Sequence, residues 1–205
     1  PFILGATDAR IVDAFFEAMS GLTTTGSTVF VGLETLPKGL LIWRGILQWL
    51  GGIGIIVVAM VFLPELRVGG MQIFRSEAFE TMGKILPRAT QIASQISTIY
   101  IALTLGCALT YLILGMNTFD ATVHALTTVS TGGFSNYDAS FGMFQGNMEY
   151  AASFFMIAAA LPFVRYVQMI NGNTKALFRD TQVHGFLIVI GATVVVMTLV
   201  LTTIF

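Results

Sequence analysis

Apolar positions gather into four long stretches, residues 40–63, 92–114, 150–170 and 185–205. A bilayer core about 30 Å thick takes roughly 20 mostly apolar residues per helix, so each stretch predicts a membrane-spanning helix. Between them lie two shorter segments, 13–22 and 120–129, in which polar and apolar positions mix. At about ten residues these are too short to cross, and long enough to enter and return as re-entrant helices. Each runs into a turn rich in Thr, Ser and Gly, and each turn is followed by a full apolar stretch. The order is short helix, turn, long helix, polar loop, long helix, and then the same again. This pattern predicts an all-α integral membrane protein of repeated helix–re-entrant pore helix–helix units.

The two short segments begin a fifteen-residue unit present twice, 107 residues apart. Asp13-Ala14 opens the first copy and Asp120-Ala121 the second, and the copies close on Thr23-Thr24-Thr25-Gly26-Ser27 and Ser130-Thr131-Gly132-Gly133-Phe134. Asp13 and Asp120 are expected at helix N-caps, accepting from free backbone N–H groups rather than touching an ion. The C-terminal end of each helix, with its partial negative charge, then points at the turn. Carbonyls of Thr23, Thr24, Thr25 and Gly26, and of Ser130, Thr131, Gly132 and Gly133, with nearby hydroxyls, are suited to replace the water around a small cation. Neither turn carries a carboxylate, as a divalent-cation site would, so a monovalent ion is expected. One such turn alone is an ordinary helix end. Two in register before full spans favour a pore.

Composition strengthens the membrane assignment: 55% of residues are hydrophobic, 10% are charged, and mean hydropathy is +0.82. Arg67, Arg75, Lys84 and Arg88 fall in one loop and Lys175 and Arg179 in another, six of the ten basic residues. Those two loops, 64–88 and 171–184, are therefore expected on the cytoplasmic side and the Gly turns toward the outside. The net charge of −1 and the lack of a basic run give nucleic acid no footing. The lone Cys107 is expected to pack as a small hydrophobe. The chain starts at Pro1 and stops within an apolar run at Phe205, so it reads as a piece of a longer protein.

Several polar residues fall at membrane depth. Glu17 and Arg44 either pair behind the turns or contact carbonyls and interfacial water separately. Pro162 interrupts the third stretch. Arg165 either snorkels to the cytoplasmic interface or faces the ion path below the turns. His124 stands where the first copy has Glu17, and neither it nor His184 has a second ligand one helical turn away, so neither predicts a metal site. Gly51-Gly52-Ile53-Gly54 lies within an apolar stretch with no strand before it, and is expected to serve close helix packing rather than phosphate binding. No nucleophile–base constellation predicts an enzyme.

The chain resembles the Trk/Ktr/HKT superfamily of potassium transporters. The likeness rests on Ser20-Gly21-Leu22-Thr23-Thr24-Thr25-Gly26-Ser27, Trp43-Arg44-Gly45-Ile46-Leu47-Gln48-Trp49-Leu50-Gly51-Gly52-Ile53-Gly54-Ile55, Gly69-Gly70-Met71-Gln72-Ile73-Phe74-Arg75-Ser76-Glu77 and Ser130-Thr131-Gly132-Gly133-Phe134-Ser135. It covers essentially the whole chain. Members carry four repeats in one polypeptide, a K⁺ channel-like pseudo-tetramer in which every repeat gives one filter loop. The resemblance implies that 1–63 hold the first pore helix, filter and inner helix, 89–170 a complete second repeat, and 185–205 the outer helix of a third. It implies a K⁺ filter of Thr23, Thr24, Thr25, Gly26, Ser130, Thr131, Gly132 and Gly133, with Arg165, Glu17 and Arg44 in gating or support. It further implies K⁺ uptake across the bacterial inner membrane, channel-like or by symport, with no bound cofactor, as a homodimer on a TrkA-like cytoplasmic nucleotide-binding subunit. A Na⁺-dependent Ktr-type relative and a non-transporting membrane scaffold are the alternatives.

Overall fold

Helix-forming apolar runs, punctuated by Gly turns and prolines, set the elements of the computed structural model, which describes residues 1–5, 7–62, 89–144 and 146–204. Among these residues all regular structure is helical. The helices are α1 (Ile11–Leu22), α2 (Lys38–Phe62), α3 (Ala89–Ile113), α4 (Thr118–Val129), α5 (Met148–Ala160), α6 (Phe163–Ile170) and α7 (Thr181–Ile204). Short 3-10 turns lie at Leu33–Thr35 and Ser140–Met143. Among the described residues, Ala93–Ile113 and Thr181–Thr203 are long and apolar enough to cross a membrane, and α5 with α6 also qualifies when counted as one broken span. The loop expected at 64–88 lies outside the described residues.

Two expectations need correction. Both short helices start earlier than the Asp residues: the N-caps are Arg10 and Asn117, and Asp13 and Asp120 occupy the third helical position. An acid there folds back on the cap, as Asp13 does in accepting the Arg10 main-chain N–H at 3.3 Å. In the second copy the Asn117 side chain accepts from Asp120 N at 2.9 Å, since Asn caps as well as Asp. The stretch 150–170 is not one helix. Pro162 has no N–H to continue α5, and it becomes the N-cap from which α6 begins.

The chain divides into two compact units, Pro1–Ala160 and Leu161–Phe205. In the first, α2 packs against α1, α3 and α4, and α3 and α4 pack on each other and on α5. Ile96, Tyr100, Cys107 and Tyr111 of α3 and Ala121, Val123 and Ala125 of α4 form its buried centre. Buried Cys107 packs as expected. Tyr111 does not leave its hydroxyl stranded, since it bonds Thr128 Oγ1 at 2.8 Å.

Glycines set how closely α2 approaches both turns. A Cβ on Gly51 would lie 2.0 Å from the Leu22 carbonyl at the end of α1, and one on Gly52 would lie 2.9 Å from Ser130 Cβ at the end of α4. Adjacent glycines thus serve one turn each. Gly54 meets nothing within 4 Å, so the packing role expected of the whole Gly51–Gly54 motif belongs to its first two glycines.

In the second unit, Arg165 on α6 donates through Nε to Asp180, and its Nη1 reaches Gln168 Oε1 at 2.9 Å. Asp180 also accepts the Gln182 N–H at 2.7 Å, closing the start of α7. Burial pushes the Asp180 carboxyl up, but Arg165 and the Gln182 N–H more than offset this and hold it below the usual range. Arg165 is therefore ion-paired and two-thirds covered rather than extended into water. Along α7, Ile188, Val189, Val195, Val196 and Leu199 are exposed, as suits a helix apolar all round in lipid.

Candidate functional site

The two turns repeat each other bond for bond. Thr23, Thr24 and Thr25 donate their N–H groups to the carbonyls of Met19, Gly21 and Ser20. Ser130, Thr131 and Gly132, 107 residues on, donate to Leu126, Thr128 and Thr127. Thr24 and Thr131 adopt φ of 55° and 53°, and Gly26 and Gly133 adopt 82° and 81°. Pulling the N–H groups back onto the helix turns the other edge of the chain outward. None of the carbonyl oxygens of Thr23, Thr24, Thr25, Gly26, Ser130, Thr131, Gly132 or Gly133 accepts a hydrogen bond among the described residues. These carbonyls lie at the negative ends of two helices.

The turns also meet. A Cβ on Gly26 would lie 2.0 Å from the Gly132 carbonyl oxygen and 3.8 Å from Gly133 Cα. Only a residue without a side chain permits that approach. Gly26 and Gly133 line one cavity of about 380 Å³ with Thr28, Arg44, Ser135 and Asp138.

Behind the turns, Glu17 and Arg44 resolve as an ion pair, Arg44 Nε to Glu17 Oε1 at 2.7 Å, at 0% and 1% side-chain exposure. Glu17 also accepts from Thr28 Oγ1 at 2.9 Å and Val29 N at 3.1 Å. Arg44 Nη1 donates to the Ser135 carbonyl at 2.9 Å, and the guanidinium carbon sits 4.2 Å from the centre of the Phe134 ring. Through Glu17, one arginine therefore links the segment after the first turn to the segment after the second.

His124 does in the second copy what Glu17 does in the first. Glu17 holds Thr28, and His124 Nε2 bonds Ser135 Oγ at 3.0 Å; both partners, like both holders, are 107 residues apart. The other ring nitrogen of His124 lies 2.9 Å from the Asp120 carbonyl. Buried Asp120 accepts from Asn136 Nδ2 at 2.7 Å and Tyr137 OH at 2.8 Å. That hydrogen bond, first, and partial burial raise the Tyr137 hydroxyl above its ordinary pKa.

Two residues that hold the turns and the segments after them escaped sequence reading. Gln48, fully buried on α2, accepts the Phe134 N–H at 3.1 Å. Asp138 accepts Gly32 N at 2.7 Å and Leu33 N at 3.0 Å, linking the segments that follow the two turns. The Leu33 and Gly32 N–H groups hold the Asp138 carboxyl below its usual range. The hydroxyls could have been found: shifting the sequence by 107 puts Ser135 on Thr28 as it puts His124 on Glu17. Nothing local marks Gln48 or Asp138.

A family model described as TrkH, cation transport protein, matches residues 3–205. The chain belongs to the TrkH family. Among TrkH relatives, the Trk system potassium uptake protein TrkI of Halomonas elongata is 45% identical over 201 residues, covering 97% of this chain and 41% of the relative. The Trk system potassium uptake protein TrkH of Escherichia coli K12 is 41% identical over 206 residues, covering 98% of this chain and 43% of the relative. The crystal structure of the potassium transporter TrkH from Vibrio parahaemolyticus superposes with a TM-score of 0.75 at 37% identity, over 88% of this chain and 36% of that one. The chain thus spans about two-fifths of the length of the curated TrkH relatives it matches, at 41% and 43%. TrkH proteins form a family of cation transport proteins, and the described part of this one is all-helical with apolar candidate spans.

Proposed function

We propose that this chain is the part of a bacterial inner-membrane potassium-uptake protein that carries two of its filter turns. α1 and α4 are re-entrant pore helices, and 1–63, 89–170 and 185–205 are the first repeat from its pore helix, the second repeat, and the opening helix of a third in a pseudo-tetramer. K⁺ exchanges its water for the carbonyls of Thr23, Thr24, Thr25, Gly26, Ser130, Thr131, Gly132 and Gly133. It then moves channel-like down its gradient, the membrane potential supplying about 2.3 kcal/mol per charge per 100 mV. Glu17 and Arg44 support the turns, and Arg165, through Asp180, supports the cytoplasmic side. The whole protein works as a dimer with a TrkA-like nucleotide-binding subunit.

The supporting observation is the meeting of Gly26 with Gly132, two turns of one backbone form with their carbonyls uncommitted. The potassium uptake in the names of the relatives agrees with it. The test is growth at low K⁺ and K⁺/Na⁺ flux of the full-length protein carrying Gly26→Ser or Gly133→Ser. Gly26→Ser meets both a positive φ and a carbonyl at 2.0 Å, whereas Gly133→Ser meets only the positive φ, with nothing within 4 Å. Both variants lose K⁺ selectivity, Gly26→Ser more severely. Selective K⁺ flux surviving in both would leave the scaffold alternative in its place.

A further inference from the structure

We propose that Gln48 is a positioning residue for ion discrimination, holding the second filter turn in its coordinating form from the inner helix of the preceding repeat. This rests on the filter assignment above. The second turn is pinned at its start by α4, which takes the N–H groups of Ser130, Thr131 and Gly132. At its far end the next bonded main-chain donor is Phe134 N, and its acceptor is Gln48 Oε1 at 3.1 Å. Between those two anchors lie Gly132 and Gly133, the residues with the least intrinsic stiffness. Their carbonyl directions are therefore set by the anchors rather than by their own side chains.

The amide also fills the space that a side chain at 132 would need. A Cβ on Gly132 would lie 2.4 Å from Gln48 Cδ and Oε1 and 2.8 Å from Nε2. A donor at Phe134 N fixes which amide atom faces it, since only the oxygen accepts. Gln48 Nε2 has no hydrogen-bond partner among the described residues, so accepting from Phe134 is the polar contribution this side chain makes to the turn.

The first turn uses a different device at the equivalent residue. Ser27 corresponds to Phe134 by the 107-residue shift, and its carbonyl is held from within its own repeat by Ser20 Oγ at 2.5 Å. Thr127, the counterpart of Ser20, spends its hydroxyl on the His124 carbonyl of its own helix at 3.2 Å. The second turn lacks the local hold and receives one from α2 instead. The residue 107 places after Gln48 is Phe155, so this polar contact is not repeated on α5.

The experiment uses the full-length protein in proteoliposomes, with K⁺ and Na⁺ flux measured for Gln48→Asn, Gln48→Met and, as a control on the filter itself, Gly26→Ser. Gln48→Asn keeps an amide but withdraws it by one methylene, and is expected to lower the K⁺/Na⁺ ratio about tenfold, the scale of one lost buried hydrogen bond. Gln48→Met keeps the length of the side chain but removes the accepting oxygen without adding a charge, so it lowers the ratio to a similar extent. Loss in Gly26→Ser with wild-type selectivity in Gln48→Asn overturns the role of Gln48 alone. Unchanged selectivity in Gly26→Ser removes the filter assignment beneath it. Should Gln48→Asn fail to insert, Gln48→Met decides: a lowered ratio supports the acceptor role, and wild-type selectivity overturns it.

Discussion

Arg44 is nearly fully buried, and it bonds groups that flank both turns: Glu17, the Ser135 carbonyl and the Phe134 ring. A guanidinium at this depth is stable only because a carboxylate lies 2.7 Å away. Glu17→Gln removes that counter-charge and leaves the cation buried, a change expected to cost about 3–5 kcal/mol. Replacing both, as Glu17→Gln with Arg44→Met, removes the stranded charge and recovers most of the loss. Thermal unfolding of the full-length protein in detergent checks this, and equal losses in the single and double variants would count against the pair. His124 shows that the second copy manages without a charge at this place. Its imidazole, between Asp120 O and Ser135 Oγ, holds the segment after the second turn.

α2 is the element that joins the copies, because four of its residues each meet a turn: Arg44, Gln48, Gly51 and Gly52. Gly51→Ala would set a Cβ 2.0 Å from the Leu22 carbonyl, a main-chain atom that cannot step aside. The helices must part instead, and overpacking of this kind costs about 1–3 kcal/mol. A lowered melting temperature is expected for Gly51→Ala, with Gly54→Ala, which meets nothing among the described residues, close to wild type. The long helices α2, α3 and α7 and the paired short helices were legible because hydropathy and the 107-residue repeat act over many residues at once. The caps were misread by three positions, since Asp at the third helical position and Asp at a cap leave the same local signature. The break at Pro162 was visible as a residue, but the apolar run on either side masked the end of α5. Gln48 and Asp138 were illegible because their partners are 86 and up to 106 residues away, a separation no local pattern carries.

Across Pro1–Ala160 the two copies are tied at successive places: Gly52 against Ser130, Gln48 to Phe134, Arg44 to Ser135, and Asp138 to Gly32 and Leu33. The last tie is exposed and depends on charge, so it is where solution pH reaches the assembly. Asp138 accepts two main-chain N–H groups as a carboxylate, which holds its pKa in the folded chain below the ordinary value of about 4. A depressed folded pKa means that the stabilisation is complete above the ordinary value and fades as pH falls through the lower folded one. Between pH 7 and pH 5 no change is expected. Below about pH 4 the Gly32 and Leu33 amides lose protection first, while those of Thr23, Thr24 and Thr25, which donate to uncharged carbonyls, stay protected. Asp138→Asn reproduces that loss at neutral pH by removing the charge and leaving the shape. Hydrogen exchange at these amides, corrected for the intrinsic pH dependence of exchange, checks both arms. Protection of Gly32 and Leu33 in Asp138→Asn equal to wild type would mean that the outer segments are held by packing alone.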